Sequence, residues 1–331
     1  MNYGPAMLPP LALVGVISER FGVFVAVYAL KSIWLLVHYV NCWLLYKIVE
    51  AKGKDPVQGV LVYALNPLVL LELLGNGHND GMLILSILAA LTMLHHGWSA
   101  VAMWLAFVAS LTKAPGIILC AGVCIYLYRR GQWRQLCAGT AAIAATVLLL
   151  HWTLFPNLKS AFALVNLPRG VHNSFHALIY PAAEALARLD LPINPRRLYA
   201  LDRQVFTVLF AAFAIWRLGR IRDWTTLLRE ISVVWLGLFV GYAAMFWPWY
   251  VTWLLPLAAL TESRLLAHVI QTYSFSVLSL YAVPIYLVDQ APLRRMWATL
   301  RIVCAHGLPF GLVLAAQLRR QDKKLPAQRP R

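Results

Sequence analysis

The chain has 331 residues, 61% of them hydrophobic and 13% charged, with a mean hydropathy of +0.67 and a formal net charge of +16. A soluble domain is closer to about half apolar and about a quarter charged. Long apolar runs recur along the whole length without the alternation of barrel strands. That excludes a soluble domain and a β-barrel, and predicts an all-α, polytopic transmembrane helical bundle.

The basic charge does not point to nucleic acid. Lys and Arg cluster in short loops and at the C-terminus, where the positive-inside rule and anionic lipid account for them. No soluble domain presents them to a polynucleotide, so membrane lipids are the expected partner. The five cysteines, Cys42, Cys120, Cys124, Cys137 and Cys304, lie in or beside apolar segments and read as small buried hydrophobes. Met1 is followed by Asn-Tyr-Gly-Pro, without the basic stretch of a signal peptide.

Taken in order, residues 1–20 carry about 12 apolar residues, too few to span at about 1.5 Å each, and predict an interfacial or re-entrant helix. A spanning segment over 21–49 holds Lys31, His38 and Asn41. The loop 47–55 has three lysines and is expected on the cytoplasmic side. A helix over 56–74 then climbs to the turn Gly75-Asn76-Gly77-His78-Asn79-Asp80, and 82–94 returns to the polar turn His95-His96-Gly97. Segments 98–111 and 116–128 flank Thr112-Lys113-Ala114-Pro115. Each is about 20 Å long and together they read as a short hairpin with an outer tip. The alternative is one Pro-kinked helix of about 31 residues, which would reverse the side of the 75–80 turn.

Segment 136–155 spans outward. Residues 156–203 form the longest non-apolar stretch, an outer-face loop expected to fold against the membrane. Spans are then expected over 205–218, 231–247, 250–260, 265–288 and 296–318, followed by a basic cytoplasmic tail, 319–331. That makes about ten membrane segments in a single embedded domain, 1–318. The scheme leaves Arg294 and Arg295 on the outer side. No internal repeat suggests transporter-style inverted symmetry.

Ionisable groups at membrane depth cost several kcal/mol unless paired or hydrated, so they are candidates for function. His78, Asn79 and Asp80 sit between two apolar walls, with Glu72 inside the preceding helix. A helix N-cap would explain one of Asn79 and Asp80, but neither Glu72 nor His78. Lys113 is either a snorkelling lysine or a cation placed to hold a phosphate. Trp247, Trp249, Tyr250 and Trp253 are either an interfacial belt or a surface for a sugar ring or lipid tail. His172 and His176 would share a helix face, but no acidic third ligand lies near them in sequence. With Asn173 they are better suited to hydrogen bonding, and neither a metal nor a cofactor is expected.

Three blocks, NPLVLLELLGNGHNDGMLILSILAAL, ASLTKAPGIIL and WPWYVTWLLPLAAL, together with the N-terminal YGP, resemble the integral-membrane glycosyltransferases of the C-type superfamily. The closest resemblance is to the bacterial polyprenol-phosphate-mannose-dependent mannosyltransferases (glycosyltransferase family 87 and relatives). The resemblance implies a helical bundle with its site at the outer face of the cell membrane. There a hexose, mannose above all, passes with inversion from a polyprenyl-phosphate sugar donor to a lipid or glycan acceptor. It also implies roles. His78 and Lys113 would face the phosphate, Asn79 and Asp80 the sugar or acceptor, and Trp249 and Tyr250 the sugar or lipid; His78 and Asp80 are the catalytic candidates, and Glu72, His172 and Asn173 further substrate-binding candidates. In such enzymes the aspartate base belongs to an outer loop that precedes the YGP-like block, and this chain begins at that block. The expectation is therefore a chain lacking the first helix and loop, through a misplaced start or a truncation, or else a protein without the usual base, for which Asp80 is the candidate substitute. A lipid-linked sugar transporter or flippase, and an inactive truncated relative, are the competing readings.

Overall fold

The computed structural model describes residues 4–154, 172–179, 194–281 and 291–322. Those residues are helical apart from turns and one isolated bridge, His172 to Met245. Among the described residues, four helices are long and apolar enough to cross a membrane: Val23–Ala51, Trp133–Thr153, Trp224–Tyr242 and Met296–Gln317. A fifth crossing arises if Pro56–Ala64 and Pro67–Gly75, bent by 48°, form one span. The other described helices do not meet the same measure of length and apolarity, so the count among the described residues differs from the ten expected segments. The outer-face loop 156–203 and the tail fall largely outside the described residues.

Helix α1 (Leu8–Phe21) turns at Gly22 and packs beside α2 (Val23–Ala51). Where one helix over 56–74 is expected, the chain breaks into α3 (Pro56–Ala64) and α4 (Pro67–Gly75). Pro67 is the cause. It forces Asn66 to an extended conformation (ψ 126°), and the Asn66 carboxamide then accepts from Leu68 N. From Leu70 to Gly75, α4 is wound as a π-helix. Helix α5 (Asp80–His95) follows, then α6 (Ser99–Thr112), a 3₁₀ turn, α7 (Ile117–Arg129) and α8 (Trp133–Thr153).

The chain reverses at 113–116. Gly116 lies so close to the Ala109 backbone that an added Cβ would stand 2.4 Å from its carbonyl carbon, and α6 and α7 pack as a hairpin. After α9 (Pro195–Leu218), α10 (Trp224–Gly237) runs into a π-helical turn, Leu238–Tyr242. The aromatic block is a 3₁₀ helix, Pro248–Leu254, continued as α11 (Leu255–Leu260). Helix α12 (Arg264–Ser276) extends by a 3₁₀ turn to Leu280, and α13 (Ala291–Asp322) closes the bundle.

One hydrophobic core runs through the centre, with α5 buried along most of its length. The basic loops gather at one end of the bundle. Lys54 Nζ donates to the carbonyls of Leu260 (3.0 Å) and Thr261 (2.9 Å), and Arg129 reaches Gly219 O (3.5 Å). Buried Glu230 is ion-paired there with Arg217 (2.6 Å) and Arg229 (2.8 Å). The 76–79 turn, Lys113 and Trp253 meet at the opposite end.

Candidate functional site

Two buried carboxylates organise that end. Asp80 is the first residue of α5 and is fully buried. Lys113 Nζ donates to both its oxygens, at 2.8 and 2.7 Å, and Trp253 Nε1 donates to Oδ1 at 2.6 Å. Lys113 reaches it because α6 ends at Thr112 and Lys113 itself is extended (φ −147°, ψ 134°). Its ammonium lies 5.4 Å from the centre of the Tyr250 ring and 5.7 Å from that of Trp253, within cation–π range. Two opposite charges removed from water are held here by three charge-assisted hydrogen bonds.

The second carboxylate is Glu72, in the π-helical turn and also fully buried. It accepts from Asn76 Nδ2 (3.1 Å) and from the Tyr281 hydroxyl, and His78 Nε2 stands 3.2 Å away. The π turn brings these groups together. Asn76 N bonds back to Leu71 O (2.8 Å) and His78 N to Glu72 O (2.9 Å), which folds the turn over its own carboxylate. Gly77 permits this with φ 72° and packs against Trp34. Lys31 Nζ caps the free carbonyl of Gly75 at 3.1 Å.

The His78 side chain is 25% exposed. Its ring stacks on Trp249 (centroids 3.9 Å apart, 22°), Trp249 on Trp247 (4.8 Å, 8°), and Trp247 leans on His172 (4.7 Å, 46°). Four rings thus run from the turn to the 172–179 segment. With two rings already stacked on it, Trp249 has less face to offer a sugar than a lone indole would.

His172 is fixed by its backbone, accepting from Phe246 N (2.9 Å) and donating to Ala244 O (3.0 Å). Asn173 has φ 52°, and its carbonyl accepts from His306 Nε2 (2.9 Å). His176 does not join His172. It is buried against Asp202 (2.6 Å) and Gly241 O (2.9 Å). Among the described residues no group of three His, Cys, Asp or Glu could hold a metal.

Asn79 occupies the N-cap position of α5 without a side-chain cap bond. It is 3% exposed, and neither its amide oxygen nor its nitrogen has a partner among the described residues. Capping is therefore not what its side chain does. Burial holds the His78 imidazole below its usual range. Asp80 and Glu72 oppose that shift, and Lys113 adds to it.

Glu72, His78, Asn79, Asp80, Lys113, Trp249 and Tyr250 therefore stand together, with His172 joined to them through the rings and Asn173 beside it. Sequence reasoning passed over Asn76 and Tyr281, and named Trp253 only as part of an aromatic block. Tyr281 lies 209 residues from Glu72 and Trp253 lies 173 from Asp80, so local pattern carries no sign of either pairing.

Residues 1–129 match the family model for the alpha-(1->6)-mannopyranosyltransferase N-terminal domain. No curated protein matches the chain. The matched part contains both carboxylates, His78, Asn79 and Lys113, and ends before the ring stack is complete. Over its first 129 residues, then, the chain is similar to a mannosyltransferase domain, which supports a membrane glycosyltransferase of mannose.

Proposed function

We propose that the chain transfers mannose, or a similar hexose, from a polyprenyl-phosphate donor to a lipid or glycan acceptor, with inversion, at the outer face of the cell membrane. The observation that carries this reading is the buried Lys113–Asp80 pair beside partly exposed His78, at the end of the bundle away from the basic loops. By the positive-inside rule the basic end is cytoplasmic, and the site end is then outside.

Helix length supports a lipid-borne donor. From the basic end, α5 reaches about 24 Å and α6 about 21 Å, less than a hydrocarbon core of about 30 Å, whereas α2 measures about 43 Å. The site is thus sunk below the far membrane surface, at a depth a lipid phosphate can reach. Lys113 supplies the cation for that phosphate, and imidazole and carboxylate stand beside it for proton transfer. The unpartnered Asn79 amide, with one acceptor and two donors, suits sugar hydroxyls.

The test is transfer of labelled mannose from polyprenyl-phosphate mannose in vesicles containing the purified chain. Wild-type protein is expected to form a new glycosidic product, and Lys113→Gln to raise the donor KM at least tenfold. Label that crosses the bilayer without any new product would instead favour the flippase reading.

A further inference from the structure

The basic end of the bundle holds a feature that the transfer reaction does not use. Between the loop after α2, the start of α10 and the end of α11 lies a cavity of about 150 Å³, with Lys52, Lys54, Trp224 and Glu262 in its wall. That is well above the about 10–15 Å³ that admits a single water. We propose that this cavity binds a phosphate group at the membrane surface, apart from the site at the other end of the bundle. It requires nothing of the transfer reaction.

The two lysines reach the cavity in different ways. Lys54 Nζ donates to the carbonyls of Leu260 (3.0 Å) and Thr261 (2.9 Å). This closes the end of α11 and fixes the ammonium in the wall, with one of its three N–H donors left over. Lys52 follows the last residue of α2, and its ammonium stands 4.3 Å from the centre of the Trp224 ring. It makes no hydrogen bond and no ion pair among the described residues. An indole face offsets part of a cation's lost hydration but supplies no acceptor oxygen. Burial holds both ammonium groups below the ordinary lysine range, and Glu262 opposes that shift. A phosphate in the cavity supplies what indole and carbonyls do not, a full opposite charge with oxygens for both lysines.

The charge of the wall sets the class of ligand. Glu262 accepts from Thr225 Oγ1 (3.0 Å) and forms no ion pair with either lysine among the described residues. Two ammonium groups and one carboxylate leave a single net positive charge, the complement of a phosphodiester's single negative charge. Leu228 and Leu260 complete the lining and leave the far side of the cavity apolar. Position favours a lipid headgroup as the carrier. Two of the helices long and apolar enough to cross a membrane meet here, since α2 has just ended and α10 begins at Trp224. Span ends of this kind lie at the level of headgroup phosphates, where Trp and Lys are favoured. A phosphate ester in solution offers the same chemistry, and the binding experiment separates the two.

The full chain, purified in an uncharged detergent and stripped of lipid, is treated with acetic anhydride, and acetylation of Lys52 and Lys47 is followed by peptide mass spectrometry. Lys47, exposed and paired with Glu50 (3.0 Å), reports general shielding. The additions are dioctanoyl phosphatidylglycerol, dioctanoylglycerol, which lacks the phosphate, and inorganic phosphate. Dioctanoyl phosphatidylglycerol is expected to slow Lys52 about tenfold and to leave Lys47 within about twofold, while dioctanoylglycerol changes neither. The Kd read from this protection should rise about tenfold in Lys54→Gln and fall in Glu262→Gln, with Arg130→Gln, exposed at the same end, within about twofold of wild type. Tighter binding by Glu262→Gln is a result that misfolding does not produce, and binding no tighter than wild type overturns the charge balance. Inorganic phosphate that protects Lys52 as well as the lipid does, at the same concentration, supports the phosphate site and overturns the lipid as its carrier. Equal slowing of Lys52 and Lys47, or no slowing by either phosphate compound, overturns the site.

Discussion

At the scale of single residues, the Asp80–Lys113 pair is where stability and function are both at stake. Removing one member of a buried ion pair leaves the other charge uncompensated, at a cost of about 3–5 kcal/mol. Asp80 is completely enclosed and the Lys113 side chain only 13% exposed, so solvent rescues neither. Asp80→Asn and Lys113→Met should each destabilise the chain by about 3 kcal/mol, while the double variant loses less than the sum. Denaturant unfolding in mixed micelles reads the difference, and two single variants of wild-type stability would contradict the pairing. Neither member stands out by composition. What made them legible in the sequence is that an ionisable group between two apolar walls has to be neutralised somewhere. Their mutual partnership was not legible. Lys113 suggested a phosphate and Asp80 a base, with no sign in the local pattern that the two would also be bonded to each other. Asn79 is a similar case. Its position invites a helix cap, yet neither polar atom of its amide has a partner among the described residues.

At the scale of elements, the sequence located helices well and their interruptions poorly. The apolar runs mark α2 and α8 plainly, because a long, mainly apolar stretch has one low-energy form in lipid, whereas α10 starts at Trp224, inside the stretch read as a basic loop ahead of the span expected from 231. The break at Asn66 was missed although Pro67 signalled it, since the hydrophobicity of 56–74 runs on without change. The hairpin at 113–116 was one of two open readings, and packing decides between them: a continuous helix would carry Gly116 about 10 Å along the axis from Ala109, and the two backbones touch. Gly116 is required by that contact. A methyl group there meets Ala109 C at 2.4 Å, Ala109 O at 2.5 Å and Ser110 N at 2.6 Å, all backbone atoms that cannot swing aside. Gly116→Ala should therefore pry α6 from α7 and displace Lys113. A sharp loss of thermal stability and of donor binding is the expected result. Gly15→Ala is the control. It lies inside α1 with nothing within 4 Å of the added methyl, and should gain up to about 1 kcal/mol from helix propensity. Equal behaviour of the two variants would remove the hairpin contact from the account of how Lys113 is placed.

At the scale of the whole molecule, the arrangement is a gradient from a basic end to a site end. Short central helices stop partway, and α2 rises past them. Lys52, Lys54, Arg129, Arg217 and Arg229 fall at the first end, and His78, Asp80 and Lys113 at the second. This polarity was foreseeable from loop charges alone, whereas the proposed recessed depth of the site rests on helix lengths seen together. The proposed orientation is one that labelling can test. In a chain with its five cysteines replaced, Glu19→Cys lies exposed near the turn from α1 into α2, and Arg130→Cys lies exposed in the loop before α8. A membrane-impermeant thiol reagent added to intact cells should modify the first and spare the second, and opening the membrane should make both reactive. The reverse pattern would put the site in the cytoplasm. A donor phosphate would then have to approach from the inner leaflet, where soluble nucleotide sugars compete as donors, and the case for a lipid-borne sugar would lose the support that depth and charge now give it.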